Sequence, residues 1–96
     1  MKRSNERSLH EALGDLVDDA GMREKMDELD IATAWDQLVG AMVARHTVSL
    51  RLKQGRLRVR VDSAPLRQEL TYLRTDLLAR LNEHAGRDVV KEIVLE

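Results

Sequence analysis

Apolar residues recur along the first twenty positions with a helical period. Leu9, Ala12, Leu13, Leu16, Val17 and Ala20 fall on one side of a 3.6-residue turn. Ser8 and Glu11 have capping-box spacing, and Gly21 suits a helix stop. A second helical stretch is less regular. Met22, Met26 and Leu29 predict a short helix, after which Asp30 suits an N-cap for Ile31, Ala34, Trp35, Leu38 and Val39, ending at Gly40. The segment 41–46 fits a helical turn or a loop.

The pattern then changes period. Val48, Leu50 and Leu52 alternate with Ser49, Arg51 and Lys53, and Leu57, Val59 and Val61 alternate with Arg56, Arg58 and Arg60. Gln54-Gly55 between them suits a tight turn with positive φ. Residues 47–53 and 56–62 therefore predict an antiparallel hairpin with one apolar and one basic face. Ser63 can cap a following helix with Pro65 in its first turn, and Leu66, Leu70, Leu73, Leu77 and Leu81 form a stripe that Gly86 can end. Residues 89–95 are rich in β-branched side chains and predict a third strand, with its inward face left open. The order is α-α-β-β-α-β. The expected class is α+β, a three-stranded sheet with helices packed on one face, in a single domain over 1–96.

Charge sharpens this picture. The net charge is −1, yet residues 1–36 hold ten acids and five bases, whereas residues 37–96 hold seven acids and eleven bases. Within 45–60 there are six bases and no acid. Strand alternation puts Arg51, Lys53, Arg56, Arg58 and Arg60 on one side of the hairpin. Like charges facing across a ladder repel, so this face invites an anionic partner. The alternative is an edge kept soluble by charge, or answered by acids from elsewhere.

Other chemistry is sparse. With no cysteine there is no disulfide and no Cys-based zinc site. His10, His46 and His84 fall on three predicted elements, without HxxxH spacing and without a carboxylate or nucleophile at a recognised spacing. His84, close to the apolar stripe at a helix end, suits a structural role. No phosphate-binding glycine loop is present, and the acidic pairs Asp18-Asp19 and Asp27-Glu28 read as solvated helix surface. The reading is therefore non-enzymatic, with no catalytic residue, cofactor or metal. The polar N-terminus has no signal core and no apolar run reaches membrane length, so a cytoplasmic protein that does not engage a membrane is expected. Met22, Met26 and Trp35 read as core, although the two methionines could also serve as an adaptable docking surface. Tyr72 projects away from the leucine stripe and is a candidate partner contact. A second class of function, a protein-interaction module, would dock the acidic first helix on a basic partner through Asp15, Asp18 and Asp19, with the sheet edge or Tyr72 taking part. With no Phe, one Trp and one Tyr, the strands offer no platform for stacking bases, so nucleic acid would be held through its phosphates, salt-sensitively and with weak sequence preference.

Several of these residues also form a known pattern. Ile31-x3-Trp35-x2-Leu38-Val39-Gly40, His46-Thr47, Gly55-x-Leu57-x-Val59-x-Val61-x-Ser63, Glu69-Leu70, Leu81-Asn82, Gly86 and a closing strand with Ile93 together resemble the DciA-like family, long catalogued as a domain of unknown function. The resemblance spans nearly the whole chain. It implies a KH-like fold and a bacterial replicative-helicase operator that binds DNA and assists helicase loading. The implied partners are DNA, single- or double-stranded, with RNA as an alternative, and the replicative helicase. The sequence lacks the GxxG clamp of a true KH domain. It ends at Glu96, so the long C-terminal tail of the helicase operators is not expected.

Overall fold

A computed structural model of the chain describes residues 21–96. The helix expected over 8–20, including Asp15, Asp18 and Asp19, lies outside the described residues. Three helices and three strands follow in the order α1 (Met22–Arg45), β1 (Thr47–Lys53), β2 (Arg56–Val61), α2 (Ala64–Tyr72), α3 (Arg74–Ala85) and β3 (Glu92–Leu95). The sheet has order β1-β2-β3, antiparallel between β1 and β2 and parallel between β2 and β3. The α+β class with helices on one face is as the sequence pattern implies.

The hairpin forms as its alternation dictates. Leu52 pairs with Leu57 and Leu50 with Val59, and their side chains enter the core. Gln54 and Gly55 both take positive φ, 52° and 81°, as a two-residue turn between twisted strands requires. Lys91 N and Glu92 N both donate to Gly55 O, so the same turn seats the start of β3. One departure lies in β1. The register slips between Thr47 and Ser49, and Val48, expected inward, is exposed in the bulge.

Ile31, Ala34 and Trp35 of α1, Leu70 of α2 and Leu77 and Leu81 of α3 close over Leu52, Leu57, Val59, Val61 and Ile93. Trp35 is fully buried, as expected. Met22 and Met26 are not in this core; they are 42% and 52% exposed. The reason is helical phase. The helix does not restart at Asp30 but runs on to Arg45. At 3.6 residues per turn the Met22–Met26–Leu29 stripe then lies opposite Ile31, Trp35 and Leu38. Gly40 does break the helical geometry, with φ 87° and ψ 170°, but the helix resumes and takes in residues 41–45.

The leucine stripe expected on one helix is divided between two. Ser63 caps α2, its Oγ accepting from Leu66 N. The chain bends at Leu73, which is 48% exposed at the corner. The bend lets α2 pack on β2 and β3 while α3 packs against α1. The third strand is shorter than the β-branched run. Val89 and Val90 are held instead by Asn82, a buried polar residue of α3. Its Oδ1 accepts from Val89 N and Val90 N, and its Nδ2 donates to Val90 O. One side chain thus does the pairing a neighbouring strand would do. Val90 and Ile93 point inward, which settles the face left open by the sequence.

Candidate nucleic-acid interface

The face of the hairpin opposite the core carries the five bases. Arg51, Lys53, Arg56, Arg58 and Arg60 are all exposed, while Leu52, Leu57, Val59 and Val61 between them are buried. The register sets Arg51 across from Arg58, Lys53 across from Arg56, and Arg60 across from Ser49. Facing pairs in adjacent strands lie roughly 5 Å apart at Cβ, so the cations are crowded. Ser49, Arg51, Lys53, Arg56 and Arg58 line one side of an open trough, and Arg60 lies beyond it.

Carboxylates answer part of this charge. Glu92 of β3 accepts from Arg56 Nε at 3.2 Å, and Glu96 accepts from Arg58 Nη2 at 3.2 Å. Both pairs are about half exposed, so each is worth about 0–1 kcal/mol and opens readily. Arg51, Lys53 and Arg60 have no carboxylate partner among the described residues.

The free edge of the sheet is answered differently. The outward N–H of Leu52 on β1 donates to Glu28 Oε2 at 2.9 Å, and the N–H of Gln54 in the adjoining turn donates to Glu24 Oε2 at 2.6 Å. The two acids are one turn apart on α1, which matches the step from the end of β1 to the turn. The helix thereby occupies the donors that an added strand would use.

Other sequence candidates stand apart from this face. Tyr72 is 72% exposed at the end of α2, on the helical side of the sheet, where its hydroxyl accepts from Gln68 Nε2. His84 is exposed in the last turn of α3. His46, expected to lack a nearby carboxylate, has one: its Nδ1 lies 2.8 Å from Asp62 Oδ1. Sixteen residues of separation hide the pair in the sequence. It is a clasp between the start of β1 and the end of β2, reinforced by Asp62 N donating to His46 O. The adjacent Ser63 hydroxyl caps α2, accepting from Leu66 N. His10 lies outside the described residues.

Of the acids beside the basic face, Glu24, Glu92 and Glu96 were not singled out from the sequence, because their roles depend on topology. The Asp27-Glu28 pair, read as solvated helix surface, is engaged instead: Glu28 accepts from Leu52 N and Asp27 pairs with Arg87. Lys91 was also missed. Its aliphatic stem lies against Gly55, adding a cation at the turn end of the hairpin. The β-branched run around it predicted only a strand. Among the described residues no group of three or more His, Cys, Asp or Glu is placed to hold a metal ion, and no helix is long and apolar enough to cross a membrane.

A UPF0232 protein of Mycobacterium ulcerans (strain Agy99) is 29% identical over 79 residues, covering 82% of this chain and 42% of the relative. The chain therefore spans less than half the length of that relative. The family described as "Dna[CI] antecedent, DciA" matches over residues 8–95, which take in the hairpin, its acidic flanks and the Asn82 anchor alike. The chain belongs to the DciA family.

Proposed function

We propose that the chain is a non-enzymatic, cytoplasmic nucleic-acid-binding domain that takes phosphates on the open face of its β1–β2 hairpin, in a role linked to loading of the replicative helicase. The observation that carries this reading is the set of five exposed bases on one face, directly behind a closed apolar core. Binding there requires no rearrangement of the core. The two ion pairs on the face are weak enough to yield to phosphate, and three further bases need no exchange. The face carries no aromatic side chain, so it grips backbone rather than bases. Membership of the DciA family supports the link to the helicase.

The test is fluorescence anisotropy of a labelled oligonucleotide across a salt series, comparing the chain with the Arg51→Ala, Arg58→Ala, Arg60→Ala triple variant. Each lost phosphate contact lowers the log–log salt slope by roughly 0.7 on a single strand, so about two units should disappear. Circular dichroism controls for folding. A folded triple variant with unchanged affinity and slope would overturn the reading.

A further inference from the structure

The basic face is bounded on each side by two acids and one base, the bases being Lys25 on the β1 side and Lys91 at the turn end on the β3 side. On the β3 side stand Glu92 and Glu96, paired to Arg56 and Arg58. On the β1 side stand Glu28, bonded to Leu52 N of the edge strand, and Glu24, bonded to Gln54 N of the turn. Of the cations without a carboxylate partner among the described residues, Arg51 and Lys53 lie between these two rows, and Arg60 lies beside Ser49 at the end of the hairpin away from the turn.

We infer that the hairpin is a fenced track, one phosphate row wide, that takes single-stranded nucleic acid along the strand direction and disfavours duplex. This rests on the reading above and adds which nucleic acid the face accepts and how it lies. Successive outward positions on a strand are roughly 6.7 Å apart, so Lys53–Arg56, Arg51–Arg58 and Arg60 form three cationic rungs along the hairpin. A backbone running along the hairpin meets one rung after another. Across the hairpin the room is short. Neighbouring strands are about 4.8 Å apart, so the row of Glu92 and Glu96 begins one strand beyond β2. A duplex lying along the same direction presents a second phosphate row about 6 Å away across its minor groove or about 12 Å across its major groove. Either distance carries that row past the arginines and onto β3, or off the β1 edge toward Glu24 and Glu28. Phosphate there meets like charge within the roughly 8 Å screening length of physiological salt.

The experiment compares anisotropy titrations of labelled oligothymidine and of a labelled duplex of the same length, using the full chain, Arg51→Ala/Lys53→Ala and Glu92→Gln/Glu96→Gln. The full chain should bind the single strand roughly five- to tenfold more tightly than the duplex at low salt. Arg51→Ala/Lys53→Ala should weaken single-strand binding severalfold. Glu92→Gln/Glu96→Gln removes one fence, so duplex affinity should rise more than single-strand affinity and the ratio should narrow. Glu83→Gln, an exposed change on the helical side, controls for net charge and should leave the ratio unchanged. Equal or tighter binding of duplex by the full chain overturns the fenced track while leaving phosphate binding on the hairpin intact. So does a ratio that Glu92→Gln/Glu96→Gln fails to move. Absence of binding to both probes overturns the underlying reading and the track with it.

Discussion

The indole Nε1 of Trp35 donates to Thr47 Oγ1 across 3.1 Å, and Thr47 Oγ1 in turn donates to Val43 O at 2.9 Å. A fully buried indole from the middle of α1 is thereby tied to the first residue of β1, through a hydroxyl that also reaches back to the end of the helix. The relay fixes the angle at which the hairpin leaves α1. It also satisfies a polar group that could not otherwise be buried without cost.

Thr47→Val keeps the shape of the side chain and removes both hydrogen bonds. The buried indole N–H then has no acceptor, so stability should fall by about 1–3 kcal/mol. Trp35→Ala removes the largest core side chain and should cost about 3–5 kcal/mol. Trp35→Phe combined with Thr47→Val should cost less than the sum of the two single changes, because both remove one interaction. Urea unfolding followed by circular dichroism measures all of these. Strict additivity would show that the hydrogen bond contributes nothing.

Asn82 anchors the 87–91 loop with three hydrogen bonds to backbone. Asn82→Ala leaves the buried Val90 N–H and C=O unpaired, at about 1–3 kcal/mol for each unsatisfied group. Asn82→Asp keeps an acceptor for Val89 and Val90 but loses the donor and places a charge in the core, so it should also destabilise. Hydrogen exchange at Val90 N–H should accelerate in both variants ahead of global unfolding. Unchanged protection there would mean that the loop is held by other contacts, such as the Arg87–Asp27 ion pair with α1.

Gly40 and Gly55 both have positive φ, but for different reasons. A Cβ at Gly40 would meet nothing within 4 Å, whereas at Gly55 it would meet the Lys91 stem at 3.0 Å. Gly40→Ala should therefore cost only its backbone strain, about 1–3 kcal/mol for φ 87° with ψ 170°. Gly55→Ala should add crowding against Lys91 and disturb the seat of β3. A thermal melt that ranks Gly55→Ala as the milder change would contradict this account.

The parts of the fold that follow from local periodicity were legible in the sequence. The 47–62 alternation, the Gln54-Gly55 turn and the Ser63 cap rest on contacts between near neighbours, and the burial of Trp35 follows from its place on the apolar stripe with Ile31, Ala34 and Leu38. The parts that were not legible depend on how elements meet. The Met22–Met26 stripe looks like core until the helix is known to run through Asp30, which rotates it to the outer side. The break at Leu73 has no Pro or Gly to announce it and is imposed by packing on both sides. The basic face was legible from strand parity alone. Its acidic borders were not, because Glu24 and Glu28 reach β1 and its turn across 24–30 residues, and Glu92 and Glu96 reach β2 through a crossover connection.

The edge of β1 yields the last prediction. Glu28 and Glu24 accept from Leu52 N and Gln54 N, and a hydrogen bond to a charged acceptor contributes about 1.5–3 kcal/mol when sheltered from water and less when exposed. The Leu52 bond is partly buried and the Gln54 bond is exposed, so Glu28→Ala should destabilise more than Glu24→Ala. The double change has a second consequence that the energies alone do not give. It frees the Leu52 N–H of an edge strand and the Gln54 N–H of the turn beside it, next to a strand whose exposed bulge residue is Val48, and an edge in that state templates pairing with another chain. Glu24→Ala/Glu28→Ala should therefore self-associate in a concentration-dependent way that sedimentation velocity detects. The cations Arg51 and Lys53 on the same strand should oppose this at low salt, so association should grow as salt screens them. A double variant that is less stable but monomeric at every salt concentration would show that the carboxylates hold α1 to the sheet without guarding its edge.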